Sequence, residues 1–189
     1  MTTSRRIILA VSGASGMPYA LTLARALAAA PDVEPHLILS DAARLVLARE
    51  SDTAPDDFAA LAHTMHDIGN FAAPPSSGSW RHHGMIVCPC SMATLAAIAC
   101  GAGTNLIHRA ADVTLKERRP LLLVTRETPL SRIHLENMLR ANDAGATIVP
   151  ASPGFYNRPG SVQDLVDHLC ARVLDVMDVP NTLSLPWEG

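Results

Sequence analysis

Arg6-Ile7-Ile8-Leu9-Ala10-Val11-Ser12-Gly13-Ala14-Ser15-Gly16, running on into Met17-Pro18-Tyr19-Ala20-Leu21-Thr22-Leu23-Ala24-Arg25-Ala26-Leu27, decides the fold class of this chain. An apolar run of strand length stops at a turn of small residues, and an alanine- and leucine-rich stretch of helix length follows. That is the opening β-turn-α unit of an open α/β sheet. Glycine at 13 and 16 lets the backbone turn sharply and come close to a ligand, while Ser12 and Ser15 can cap the helix and present hydroxyls. Bare N–H groups and the positive end of the helix dipole then face whatever lies above the strand. An anion, most often a phosphate, is the expected occupant.

Gly13-Ala14-Ser15-Gly16 is a short G-x-x-G. It lacks the full G-x-G-x-x-G of dinucleotide folds and the Gly-Lys-Ser/Thr of a P-loop, so a mononucleotide such as FMN suits it better than NAD does. A plain tight turn is the other reading. The 189 residues match a single domain, 1–189, long enough for a full core. Hydrophobic residues make up 48% and aromatic ones only 4%, so Ala, Leu, Val and Ile fill that core, as is usual for packed α/β layers. Eighteen acids against fifteen Lys and Arg leave a formal charge of -3, which argues against a nucleic-acid surface. No run reaches the ~18 apolar residues of a membrane span and the N-terminus lacks signal-peptide order, so a cytoplasmic protein is expected. Cys88, Cys90, Cys100 and Cys170 form no C-x-x-C pair. Reduced, buried thiols are expected for the first two, with a catalytic thiol as the other reading.

Along the chain, Val33–Ser40 reads as a second strand and Asp41–Glu50 as a helix. Ser40 and Glu50 can point into one crevice, because open α/β sheets collect ligands at strand carboxyl ends; a helix cap and a solvated acid are the plainer reading. Residues 51–83 are the least patterned, with a helix expected over Phe58–Met65 and long loop elsewhere, including Ser76-Ser77-Gly78-Ser79-Trp80. His63 and His66 are spaced as a helical pair without a third ligand nearby and read as surface histidines. Gly84–Cys90 is a buried strand, and Ser91–Ala99 starts a helix directly after it. Ser91 and Thr94, one turn apart, can both face an anion or can simply cap the helix.

Asn105–Arg119 packs four cations into one helical reading, with Arg109 and Lys116 seven apart on a shared face; a solvated basic face is the default. Pro120–Thr125 is a further strand. Arg126 and Glu127 sit at its carboxyl end, where an arginine can hold phosphate with a bidentate fork. Ile133–Ala141 is helical, Ala146–Pro150 is the last strand, and loop 151–159 sets Tyr156 beside the site. Ser161, with Asp164 at the third position, caps an amphipathic helix reaching Asp175. Leu183-Ser184-Leu185-Pro186-Trp187 is an apolar tail able to pack on a neighbouring subunit.

Several blocks together resemble the flavin prenyltransferases, the UbiX-like family, and they run nearly end to end in family order. They are Ser12-Gly13-Ala14-Ser15-Gly16, Ser77-Gly78-Ser79, Cys88-Pro89-Cys90-Ser91, Arg109-Ala110-Ala111-Asp112-Val113 with Leu115-Lys116-Glu117-Arg118-Arg119, Arg126-Glu127-Thr128-Pro129-Leu130, and Pro153-Gly154-Phe155-Tyr156. The resemblance implies a single-domain, doubly wound parallel sheet of Rossmann or flavodoxin-like type that binds FMN. It implies a metal-independent enzyme that moves the dimethylallyl group of dimethylallyl phosphate onto N5 and C6 of reduced FMN, making the prenylated cofactor used by UbiD-like decarboxylases. Carried over by position, Gly13, Ala14, Ser15, Ser40, Ser91, Met92, Ala93, Thr94 and Arg126 fall on FMN-binding positions. Arg109, Lys116, Arg126, Tyr156 and Arg172 fall on or beside those that grip the prenyl phosphate. Ser15, Glu50, Lys116, Glu127 and Tyr156 are then the catalytic candidates, and a homododecamer with sites shared between subunits is expected. Where many relatives carry Trp before the Ser-Gly-Ser loop, this chain has Phe71, at one wall of the prenyl pocket.

The chemistry agrees with the residues. Ionising an allylic phosphate needs the departing phosphate held by cations, and it needs walls free of water. Three or four cations can stand in for a divalent metal, and the chain has no Asp-rich metal motif. Two other classes stay open: a flavoprotein decarboxylase acting on cysteine-containing substrates, and a non-catalytic FMN carrier. The first conflicts with the Arg126–Pro129 and Gly154–Tyr156 blocks, the second with the presence of Glu50, Lys116 and Tyr156.

Overall fold

A computed structural model describes residues 4–184; Leu185 to Trp187 of the apolar tail lie outside the described residues. Six parallel strands form one sheet in the order β3-β2-β1-β4-β5-β6. They are β1 (Arg5–Val11), β2 (Val33–Leu39), β3 (Thr64–His66), β4 (Gly84–Cys90), β5 (Leu121–Thr125) and β6 (Thr147–Pro150). Helices α1 (Met17–Ala29), α2 (Asp41–Glu50), α3 (Pro55–Ala59), α4 (Met92–Cys100), α5 (Leu106–Lys116), α6 (Arg132–Asp143) and α7 (Val162–Val176) join them. Among the described residues no helix is long and apolar enough to cross a membrane.

Strand periodicity divides the interior into two cores. Ile7, Leu9 and Val11 of β1 meet α1 and α7 on one face, while Ile8 and Ala10 meet α4 and α5 on the other. Both faces of β1 are covered, which is why its run is apolar without alternation. In β4 the alternation slips. Met85 and Val87 face one core and Ile86 and Cys88 the other, yet Cys90 returns to the side of Val87. The ladder to β5 shifts register between Val87 and Cys90, around a proline that cannot donate to it.

The expected helix over Phe58–Met65 is not formed. A short helix, α3, ends at Ala59 and takes in only its first two residues, and Thr64–His66 joins the sheet edge as β3, pairing with His36–Ile38. His63 and His66 are therefore not a helical pair. His66 is buried, its Nε2 3.0 Å from His36 Nδ1, and Trp80 stands edge-on to His36. Burial first, then His66 and His63, hold the His36 imidazole down at about 4, so it is neutral at physiological pH. The expected basic helix is also shorter than 105–119. It stops at Lys116, Arg118 adopts a left-handed conformation (φ 54°), and Arg119 turns inward.

Candidate active site

The chain leaves β1 toward β2 on one side and returns to β4 on the other, so the topology reverses between β1 and β4, where open α/β sheets bind ligands. Ser12 closes that point from below. Its hydroxyl donates to Pro89 O (2.9 Å) and accepts from Ser91 N–H (2.8 Å), joining the end of β1 to the start of α4. At 2% exposure the hydroxyl is committed, and Ser12 neither caps α1 nor reaches a ligand.

Ser15 does not cap α1 either. The N-cap is Gly16 at φ 125°, a conformation that favours glycine, and the bare N–H groups of Gly16 and Met17 donate to the Glu50 carboxylate at 2.8 and 2.9 Å. Glu50 is thus no solvated acid. It reaches from the end of α2 to the start of α1 and holds the place first expected for a phosphate. Burial pushes its carboxyl up, but the Ser15 hydroxyl, the two backbone donors and the Arg126 guanidinium outweigh this and leave it below its ordinary value. Tyr19, missed in the sequence, lies on the same wall: burial raises its phenol, Cys170 and Cys88 add to this, and Arg126 opposes it. The signal was available as an aromatic in the first turn after the glycine loop.

Two further helix starts flank the crevice. Ser40 caps α2 through Ala43 N–H (3.0 Å) and Ser91 caps α4 through Thr94 N–H (3.3 Å), with a 3.1 Å hydroxyl contact from Ser91 to Thr94. In each the first N–H groups, those of Asp41 and Ala42 or of Met92 and Ala93, have no intrahelical acceptor, which is what a phosphate oxygen requires. Gly13 lets the α2 start sit directly on the β1 turn; a Cβ there would lie 2.4 Å from Ala42 Cβ. Arg126 follows β5 and its N–H donates to Cys90 O at 3.3 Å. These donors and one guanidinium suit a nucleotide monophosphate.

Beyond Arg126, a cavity of about 420 Å³ opens between the ends of β5 and β6, lined by Glu127, Leu130, Pro150 and Ser152 among others. Glu127 is exposed and turns its carboxylate to Thr128 N–H (3.0 Å). Loop 151–160 carries Tyr156 to His168 of α7, with Oη 3.0 Å from Nε2. Arg172, exposed on α7, follows His168 by one turn.

The basic helix lies elsewhere. Met85 N–H donates to Pro120 O and His83 N–H to Arg6 O, which puts residues 116–120 at the amino edge of the sheet, whereas Arg126 is at the carboxyl edge. Five residues of β5 separate them, roughly 17 Å. Lys116 ion-pairs with Glu117 beside the Ser77–Ser79 loop, and Gly78 leaves the room: a Cβ there would sit 2.8 Å from Lys116 Nζ. Arg119, its side chain 15% exposed, bonds Gly78 O, Trp80 O and His82. It is not part of a solvated face. Arg109 donates to Ser76 O and pairs with Asp112, and with Phe71 it lines a small cavity of about 180 Å³. A further cavity, of about 630 Å³, lies at this amino edge, around Arg6, His83 and Arg119. Within one chain Lys116 therefore does not meet Tyr156 and Arg172. Among the described residues no group of His, Cys, Asp or Glu is arranged to hold a metal ion.

The family model described as Flavoprotein matches residues 1–177. The flavin prenyltransferase UbiX of Deinococcus radiodurans is 52% identical over 170 residues, covering 90% of this chain and 87% of that protein. The crystal structure of AnUbiX in complex with FMN and dimethylallyl pyrophosphate superposes with a TM-score of 0.96 at 48% identity, over 98% of both chains. That of the dodecameric FMN-dependent UbiX-like decarboxylase from Escherichia coli O157:H7 gives 0.95 at 47% identity, over 97% of this chain and 100% of that one.

Proposed function

The chain belongs to the flavoprotein family and, within it, to the flavin prenyltransferases, and from that premise we propose that it transfers the dimethylallyl group of dimethylallyl phosphate to reduced FMN. The observation that carries this reading is the meeting of the α2 and α4 starts with Arg126 at the switch point, a phosphate-ready crevice whose floor Ser12 ties together. Gly13, Ala14, Ser15, Ser40, Ser91–Thr94 and Arg126 hold the flavin and its phosphate. Glu50 and Glu127 flank the reacting centre as acids able to move a proton.

The ester C–O bond breaks with its electron pair staying on the phosphate. C1 of the allyl group bonds flavin N5 in place of its proton, and C3 closes onto C6 as C2 gains one proton and C6 releases another. Arg109, Lys116, Arg126, Tyr156 and Arg172 neutralise the charge that grows on the leaving phosphate, an interaction that strengthens in the transition state and so lowers the barrier. Lys116 stands at the opposite edge from Arg126, and α5 packs on the opposite face of the sheet from α7, so Lys116 and Arg109 are contributed by another subunit. This favours a shared-site assembly such as the dodecamer of the relative from Escherichia coli. The product serves UbiD-like decarboxylases, and the enzyme acts in the cytoplasm.

Anaerobic incubation of the purified protein with reduced FMN and dimethylallyl phosphate, followed by mass spectrometry of the released flavin, tests the reading. A gain of one isoprene unit is expected. Unchanged flavin with both the monophosphate and the diphosphate would refute it.

A further inference from the structure

Building on the prenyl-transfer reading, we propose that His168 is a positioning residue that fixes Tyr156 as a hydrogen-bond donor toward the departing phosphate. Three contacts define the arrangement. Tyr156 Oη lies 3.0 Å from His168 Nε2. The two rings meet edge to face, with centroids 5.4 Å apart and planes at 85°. Gly154 N–H donates to His168 Nδ1 at 3.4 Å.

These contacts select a tautomer. A ring nitrogen that accepts a backbone proton cannot carry one itself, so the neutral imidazole holds its proton on Nε2. That N–H is aimed at the phenol oxygen, which becomes the acceptor. Tyr156 then turns its own proton away from the imidazole and offers it to an anionic oxygen. A hydroxyl that already accepts one hydrogen bond is polarised and donates more strongly through its own proton.

Gly154 is what lets the three groups fit. A Cβ at that position would fall 2.8 Å from the Tyr156 ring and 3.3 Å from His168 Cε1, so any side chain there would drive the phenol and imidazole apart. The scaffold behind them is firm. α7 begins at a capping box in which Ser161 and Asp164 bond each other's backbone N–H, and it is anchored in the core by Val166, Leu169 and Cys170. Arg172 projects from the same face of α7 one turn on, so imidazole, phenol and guanidinium stand side by side. Charge appears on the phosphate only as the C–O bond breaks, so an oriented donor acts on the chemical step and leaves flavin binding alone.

The tautomer can be read without any activity. Nitrogen NMR of histidine-labelled protein should show His168 protonated on Nε2 and bare on Nδ1, and the opposite tautomer overturns the proposal. The kinetic arm is anaerobic single-turnover prenyl transfer at saturating dimethylallyl phosphate. His168→Phe keeps the ring and the edge-to-face contact but removes the donor, and should be about tenfold slower with unchanged FMN affinity. His168→Gln returns an amide N–H near the position of Nε2 and should recover to within about threefold of the parent. In a Tyr156→Phe background, His168→Phe should have no further effect, because it acts through that hydroxyl. A parent rate for His168→Phe, or equal slowing in both backgrounds, overturns the proposal. A parent chain that makes no prenylated flavin refutes the activity itself, a failure distinct from a wrong tautomer in an active enzyme.

Discussion

The carboxylate of Glu50 ends where a helix start would otherwise meet a ligand anion, so its charge stabilises the fold as well as shaping the crevice. Two backbone N–H groups and the positive end of α1 are its partners. Replacing it by Gln keeps the shape and removes the charge. Because the folded carboxyl titrates below its ordinary value of 4.5, the stabilisation is complete above that value and is lost as pH falls through the lower, folded one. Glu50→Gln should therefore be less stable than the parent by about 1 kcal/mol near neutral pH, with the gap closing in acid. Paired urea titrations at several pH values measure it. A gap that persists unchanged into acid would show that the charge is not its source.

Among the elements, the packing of α2 on the β1 turn is the tightest joint around the site. Gly13→Ala would place a methyl group against Ala42, with backbone atoms only 3.2 and 3.3 Å away, so the α2 start must move. A loss of about 1–3 kcal/mol is expected, with weaker FMN binding because Ser40 moves too. Gly103→Ala, whose added methyl would come no nearer than 3.6 Å to its neighbours, ordinary van der Waals contact, should change neither denaturation midpoint nor FMN titration. Equal behaviour of the two variants would show that the joint is not tight. The helix starts after β1, β2 and β4 were legible in the sequence, because small or hydroxyl residues directly follow apolar runs there. β3 was not. Phe58, Leu61, Ala62 and Met65 fall at helical spacing, and only pairing with His36–Ile38 makes Thr64–His66 a strand. Nor could spacing along the chain reveal that Glu50 reaches back to Gly16, that Ser12 is spent on a bridge, or that Lys116 and Arg126 stand on opposite edges of the sheet.

For the whole molecule, that last separation has a testable outcome. If Lys116 serves a site whose Arg126 belongs to another subunit, Lys116→Ala and Arg126→Ala fail at different halves of one composite site. Co-assembled in equal amounts after unfolding and refolding together, they should regain about one quarter of parental single-turnover activity, because random mixing reunites two intact halves at that frequency. Activity no higher than the sum of the separate variants would show that each chain works alone. The slipped alternation of β4 also reaches beyond packing. On a regular strand Cys88 and Cys90 would point to the same side, two thiols free to approach each other. Around Pro89 they instead enter different cores, and burial pushes both thiols up, Cys90 to about 12. Neither can find the other as a disulfide partner, and neither is a thiolate at physiological pH. Two cysteines that stand two residues apart in the chain are thereby kept from acting as a pair.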